Sequence, residues 1–133
     1  MDWNQKVIEE FRANKGVVQG QFEGMTILLL TNKGAKSGKE YVIPLAYTMD
    51  GDKYVIAASK GGAPTNPDWY HNLKANPEVT VEVGDQKFTA KATEIEGSER
   101  DEFYNKHAET YPGFKEYEKS TTRTIPIFTL EKI

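Results

Sequence analysis

The chain has 133 residues, enough for one domain whose core needs no disulfide or metal staple. It has no cysteine, which excludes a disulfide framework, a thiol nucleophile and a cysteine metal site. A net charge of −3 argues against general attraction to nucleic acid or anionic membrane, and with His71 and His107 as the only histidines no metal site is expected.

In chain order, an amphipathic helix is expected within residues 1–15. Asp2 can cap it, Trp3, Val7, Ile8 and Phe11 form one stripe, and Asn14-Lys15-Gly16 ends it. Such a stripe could lie on a membrane surface. Glu9 and Glu10 beside Lys6 and Arg12 leave the polar face without a basic excess, so packing on the domain is expected instead. The N-terminus shows no basic segment followed by a long apolar core, and the apolar run Met25 to Leu30 is too short to span a bilayer. A cytoplasmic protein is expected.

Strand signals follow. Val17 to Phe22 is weak, whereas Thr26 to Thr31 is apolar almost throughout and reads as a buried strand. Tyr41 to Met49 and Lys53 to Ala58 flank Asp50-Gly51-Asp52 as a hairpin, and Val79 to Val83 and Lys87 to Ile95 flank Gly84-Asp85 as another. A helix from Ser98 to Ala108, capped by Ser98, and a final strand from Thr124 to Leu130 complete the chain. Strands and helices do not alternate regularly, so the sheet should be largely antiparallel, and closing it into a barrel would remove its edges. The expectation is one mainly β (α+β) domain over residues 1–133 with short flanking helices.

Two stretches carry chemistry. From Ala57 to Asn72 the chain leaves a strand, passes Gly61-Gly62, and enters a short helix beginning at Pro67 and capped by Thr65 or Asn66. Trp69, Asn72 and Leu73 fall at i, i+3 and i+4, which places a flat ring and a carboxamide on one face. A planar ligand could be held there, and a loop with a core tryptophan would give the same pattern. The other stretch, residues 32–39, gathers Lys33, Lys36, Lys39, Ser37, Gly34 and Gly38 with no acid. Ammonium groups, a hydroxyl and glycine-exposed amides suit an anion such as phosphate. It is not a P-loop, because only three residues separate Gly34 from Gly38 and Glu40 stands where Ser or Thr is required. Lys60 beside Gly61 adds a cation at another strand end, so a phosphate end and a ring end of one ligand are both provided for if these ends meet.

These segments resemble the deazaflavin-dependent nitroreductase family. The matching order runs from Leu28-Leu29-Leu30-Thr31 into Gly34 to Lys39, then through Pro44-Leu45, Tyr47, Ala58 to Gly62 and Asn66 to Leu73. It continues with Ala75-Asn76-Pro77, Tyr111-Pro112, Tyr117, Thr121, Arg123 and Ile125-Pro126. The resemblance implies an antiparallel split β-barrel of the flavin-reductase, FMN-binding-barrel type that uses the 8-hydroxy-5-deazaflavin coenzyme F420. It implies that Lys33, Lys36, Ser37, Gly38 and Lys39 hold the coenzyme phosphate and acidic tail. Ser59, Lys60, Gly61, Gly62, Trp69 and Asn72 would surround the deazaflavin, and Tyr111 and Tyr117 the acceptor; Tyr111 is the candidate donor to the developing charge, and a core tyrosine with a satisfied hydroxyl is its other reading. The reaction implied is hydride transfer to a small-molecule acceptor, namely a quinone, a nitroaromatic or an activated enone. Two departures stand out: Phe114 occupies a position where well-known members have tyrosine, and lysine replaces arginine throughout, leaving only Arg12, Arg100 and Arg123. The alternatives are an FMN-binding split-barrel reductase and a non-catalytic deazaflavin carrier, and a homodimer is left open.

Overall fold

The structure, a computed structural model, describes residues 3–16, 26–59 and 65–133, with side chains from Gln5 onward. The expected strand Val17 to Phe22, the capping Asp2, and Lys60, Gly61 and Gly62 lie outside the described residues. The elements are α1 (Trp3–Ala13), β1 (Ile27–Lys33), β2 (Glu40–Ala46), β3 (Thr48–Asp50), β4 (Lys53–Ala57) and α2 (Asp68–Ala75). They continue with β5 (Glu78–Val83), β6 (Gln86–Ile95), α3 (Gly97–Thr110), α4 (Gly113–Lys119) and β7 (Ile127–Lys132). The strands form one antiparallel sheet in the order β2-β1-β5-β6-β7-β4-β3.

The single strand expected from Tyr41 to Met49 is in fact two, which pair with opposite ends of the sheet. Tyr47 separates them, and both of its backbone groups leave the ladder. Its N–H donates to the Thr26 carbonyl at 3.1 Å, and its carbonyl accepts from the Tyr111 hydroxyl at 2.7 Å. The Tyr111 oxygen also accepts from the Thr26 N–H at 3.3 Å, so one buried phenol holds the place where the strand changes partner.

Strand β1 is apolar on both faces because both are covered. Leu28 and Leu30 face inward with Ile56, Val81, Phe128 and Leu130, while Ile27 and Leu29 face outward against Val7 and Phe11 of α1. Val7, Ile8 and Phe11 of the apolar side of α1 therefore pack on the sheet, as expected of a helix packed on its domain. Gly16, at φ +94°, ends that helix region, where an added Cβ would meet Gly84 Cα at 2.8 Å, and Arg12 forks onto Glu82 at 2.8 and 3.1 Å. On the rest of the outer face, Tyr104, Ala108 and Phe114 of α3 and α4 cover Val55, Ala57 and Ile127. Trp69 and Leu73 of α2 close the inner cluster. Among the described residues, no helix is long and apolar enough to cross a membrane.

Three local expectations are corrected. Helix α2 begins at Asp68 with extended Pro67 as its N-cap, and Asn66 is engaged by Arg123 instead of capping. Helix α3 begins at Gly97, one residue before the expected Ser98 cap. Helix α4 was not anticipated, since Phe114 and Tyr117 alone give too short an apolar pattern to show a period.

His107 lies buried in the seam between α3 and β3. Its Nδ1 meets the Thr48 Oγ1 at 3.1 Å, Nε2 has no partner among the described residues, and the Phe114 ring centroid is 4.5 Å from its own. Burial pushes its pKa from 6.5 down to about 4, so the folded imidazole is neutral where the unfolded one takes a proton. Above pH 6.5 this has no effect, and stability is lost progressively as pH falls toward about 4. Between pH 7 and about pH 5 the loss should be about 2 kcal/mol, read from urea midpoints, and His107→Leu should flatten that slope. At neutral pH Tyr111→Phe, which leaves the Tyr47 carbonyl without its buried donor, should lower stability by about 1–3 kcal/mol in the same assay.

Candidate active site

Asn32 has the same parity on β1 as Leu28 and Leu30, so it faces inward, and at the mouth of the curled sheet it meets α2. There Asn72 donates from Nδ2 to Asn32 Oδ1 at 2.7 Å and accepts at Oδ1 from the Ala35 N–H at 2.9 Å. Asn32 in turn donates to the Tyr41 carbonyl at 3.3 Å. This paired-carboxamide latch fixes the turn between β1 and β2 against α2. Asn72, read from the sequence as a ligand contact, has its carboxamide engaged by protein, and Asn32 was not singled out at all.

The turn is also ordered from within. Gly34 N–H donates to the Lys39 carbonyl at 2.8 Å, Gly38 N–H to the Gly34 carbonyl at 3.0 Å, and Lys39 N–H to Ser37 Oγ at 3.2 Å. A Cβ on Gly34 would fall 2.6 Å from Ser37 Oγ, and Gly38 sits at φ +72°. The glycine amides expected to face an anion are therefore committed inside the turn. The N–H groups of Lys36 and Ser37 donate to no described group. Both residues line a groove of about 1460 Å³.

That groove wraps around edge strand β2, with Ile8 and Arg12 of α1 beside Val42 on one side and Trp69 and Asn72 of α2 beside Ile43 on the other. Its charge is mixed. Glu9, Glu40 and Asp68 line it, and the Arg12 charge is held by Glu82, which leaves Lys36 as a groove cation with no ion pair among the described residues. Two amides that donate to no described group, a hydroxyl able to donate and that ammonium fit a phosphate-bearing group. The volume exceeds the usual range of about 300–1,000 Å³ for small-ligand pockets and suits a long ligand.

The other expected site residues divide. Lys33 and Lys39 are exposed on the same turn but outside the groove lining. Trp69 is only 5% exposed, packs on Phe128 at 5.9 Å between ring centroids, and still reaches the groove. Ser59 is buried outside it, its carbonyl accepting from Arg123 at 2.7 Å. Tyr111 and Tyr117 belong to the α3–α4 side and do not line the groove. The Tyr111 hydroxyl is bound at Tyr47, and half-buried Tyr117 packs on Phe114 at 5.2 Å.

The sequence pattern of the F420H(2)-dependent quinone reductase family matches residues 3–132. The chain belongs to that family. An F420H(2)-dependent quinone reductase of Mycobacterium tuberculosis is 40% identical over 111 residues, 79% of this chain and 72% of that protein. The solved structure of an F420-H2 dependent reductase is similar at TM-score 0.73 and 45% identity, over 79% of this chain and 93% of that one. A structure described as a domain-swapped dimer is similar at TM-score 0.75 and 37% identity, over 96% and 95% of the two chains. An F420H(2)-dependent quinone reductase family member is an oxidoreductase, its cofactor is coenzyme F420, and the half-barrel seen here is the fold of the F420-dependent reductases.

The latch makes a direct prediction. Asn72→Ala removes the acceptor of the exposed Ala35 N–H and leaves the buried Asn32 Oδ1 without its donor, at a cost of about 1–3 kcal/mol for that one buried group. Urea unfolding should register the loss, and amide exchange should quicken at Ala35 before it does at core positions such as Leu30.

Proposed function

We propose that this chain reduces a quinone with coenzyme F420 as hydride source, and that nitroaromatics and activated enones are further acceptors. The observation that carries the reading is the turn that leaves the Lys36 and Ser37 amides, the Ser37 hydroxyl and the Lys36 ammonium at one end of a long groove. The family membership supports the choice of coenzyme and the quinone class. When bound, reduced F420 supplies the hydride, and the protein supplies position and a dry wall.

Lys36 and Ser37 hold the phosphate, and Lys33, Gly38 and Lys39 of the same turn meet the acidic tail. Trp69 bounds the ring side, joined by Ser59, Lys60, Gly61 and Gly62 from the segment that precedes α2, while Asn72 contributes by holding Ala35. We assign Tyr111 to the sheet closure, because its hydroxyl is bound there, and keep Tyr117 as the acceptor-side tyrosine. The work is cytoplasmic in this reading, and the neighbour described as a domain-swapped dimer supports pairing of two copies.

Titration of the wild-type chain with oxidised F420 by fluorescence, with FMN as comparator, tests the reading. Lys36→Ala should weaken F420 binding by about ten- to a hundredfold, less at high salt, with turnover of a quinone at saturating coenzyme little changed. Tighter binding of FMN, or F420 binding indifferent to both Lys36 and salt, would refute it.

A further inference from the structure

Arg123 lies in the irregular segment between α4 and β7 and reaches across to the chain before α2. Its Nη2 donates to the carbonyls of Ala58 at 3.2 Å and Ser59 at 2.7 Å, and its Nη1 donates to Asn66 Oδ1 at 2.7 Å. One planar fork thus grips the end of β4 and the residue just before Pro67. The segment bearing it is anchored in turn, since Ala58 N–H donates to the Pro126 carbonyl at 2.9 Å and Arg100 forks onto the Ile125 carbonyl at 3.0 and 2.9 Å. From Pro67 the chain enters α2, whose Trp69 and Asn72 line the groove and whose Asn72 holds Ala35 of the anion turn.

We propose that Arg123 is a positioning residue for the coenzyme groove: by tying Ala58 and Ser59 to Asn66 it sets where α2 begins, and through Asn72 it sets the place of the anion turn. The assignment rests on the F420 reading above. Lysine at this position would keep the charge but not the fork, so it should preserve only part of the effect.

The experiment compares the wild type with Arg123→Met, Arg123→Lys and Asn66→Ala. It measures the dissociation constant for oxidised F420, the KM for coenzyme and for quinone, and the melting temperature of the coenzyme-free protein. Arg123→Met should weaken coenzyme binding by about tenfold or more, as expected when one charge-assisted contact fails, with the acceptor KM unchanged. Arg123→Lys should lose less, and Asn66→Ala should weaken binding without adding its full effect to Arg123→Met, because both act on one contact. Should Arg123→Met not fold, Asn66→Ala, which removes a single neutral partner, carries the test. A lowered melting temperature with an unchanged dissociation constant in the folded variants overturns the proposal and leaves Arg123 a stability contact. A wild-type chain that binds no F420 overturns the functional reading and this assignment with it, whereas wild-type binding with unaffected variants overturns the assignment alone.

Discussion

Tyr47 carries the chain from one edge of the sheet to the other in a single step. Neighbouring strands lie about 4.8 Å apart, so the edges of a flat sheet of seven strands would be separated by about 29 Å. One residue reaches about 3.5 Å. Strands β2 and β3 therefore force the sheet to curl until its edges approach each other, and the Tyr111 hydroxyl is the group that satisfies the backbone at the join. The inner cluster, the helices on the outer face and the mouth capped by α2 are arranged around that closure.

A sheet curled this tightly fills its own interior. Leu28, Leu30, Ile56, Phe128 and Leu130 occupy it with Trp69 and Leu73, so a ligand of coenzyme size has to lie outside the core. The groove accordingly follows the outer strand β2 and draws one wall from α1 and another from α2. Trp69 belongs to both places, as a core plug with a margin in the groove. The Tyr111 hydroxyl, by contrast, is engaged where the sheet closes.

What was legible in the sequence was what short range decides. The apolar run of β1, the β5–β6 hairpin at Gly84-Asp85 and the crowd of lysines between β1 and β2 each speak for themselves within a few residues. What was not legible depends on partners far along the chain. The break at Tyr47 is held by a residue 64 positions away, the latch on Asn32 by one 40 positions away, and the use of Asn66 by one 57 positions away. Asn66 satisfied the sequence rule for a helix cap, and a guanidinium took it. The glycines of the turn likewise met the rule for anion-binding amides, yet their N–H groups close the turn itself.

The division of labour between the cations follows from the same geometry. All three arginines act as forks on the scaffold: Arg12 on Glu82, Arg100 on the Ile125 carbonyl, and Arg123 on Ala58, Ser59 and Asn66. A rigid fork suits fixed acceptors inside a fold, whereas an ammonium is a strongly hydrated point charge on a flexible stem. A groove cation of the second kind adds attraction without adding direction. In the proposed coenzyme site, direction would come from the Lys36 and Ser37 amides of the turn whose Ala35 N–H is held by Asn72, with the proposed Arg123 fork behind it. The proposed coenzyme site would thus take its charge from one exposed turn and its geometry from bonds that join distant parts of the chain.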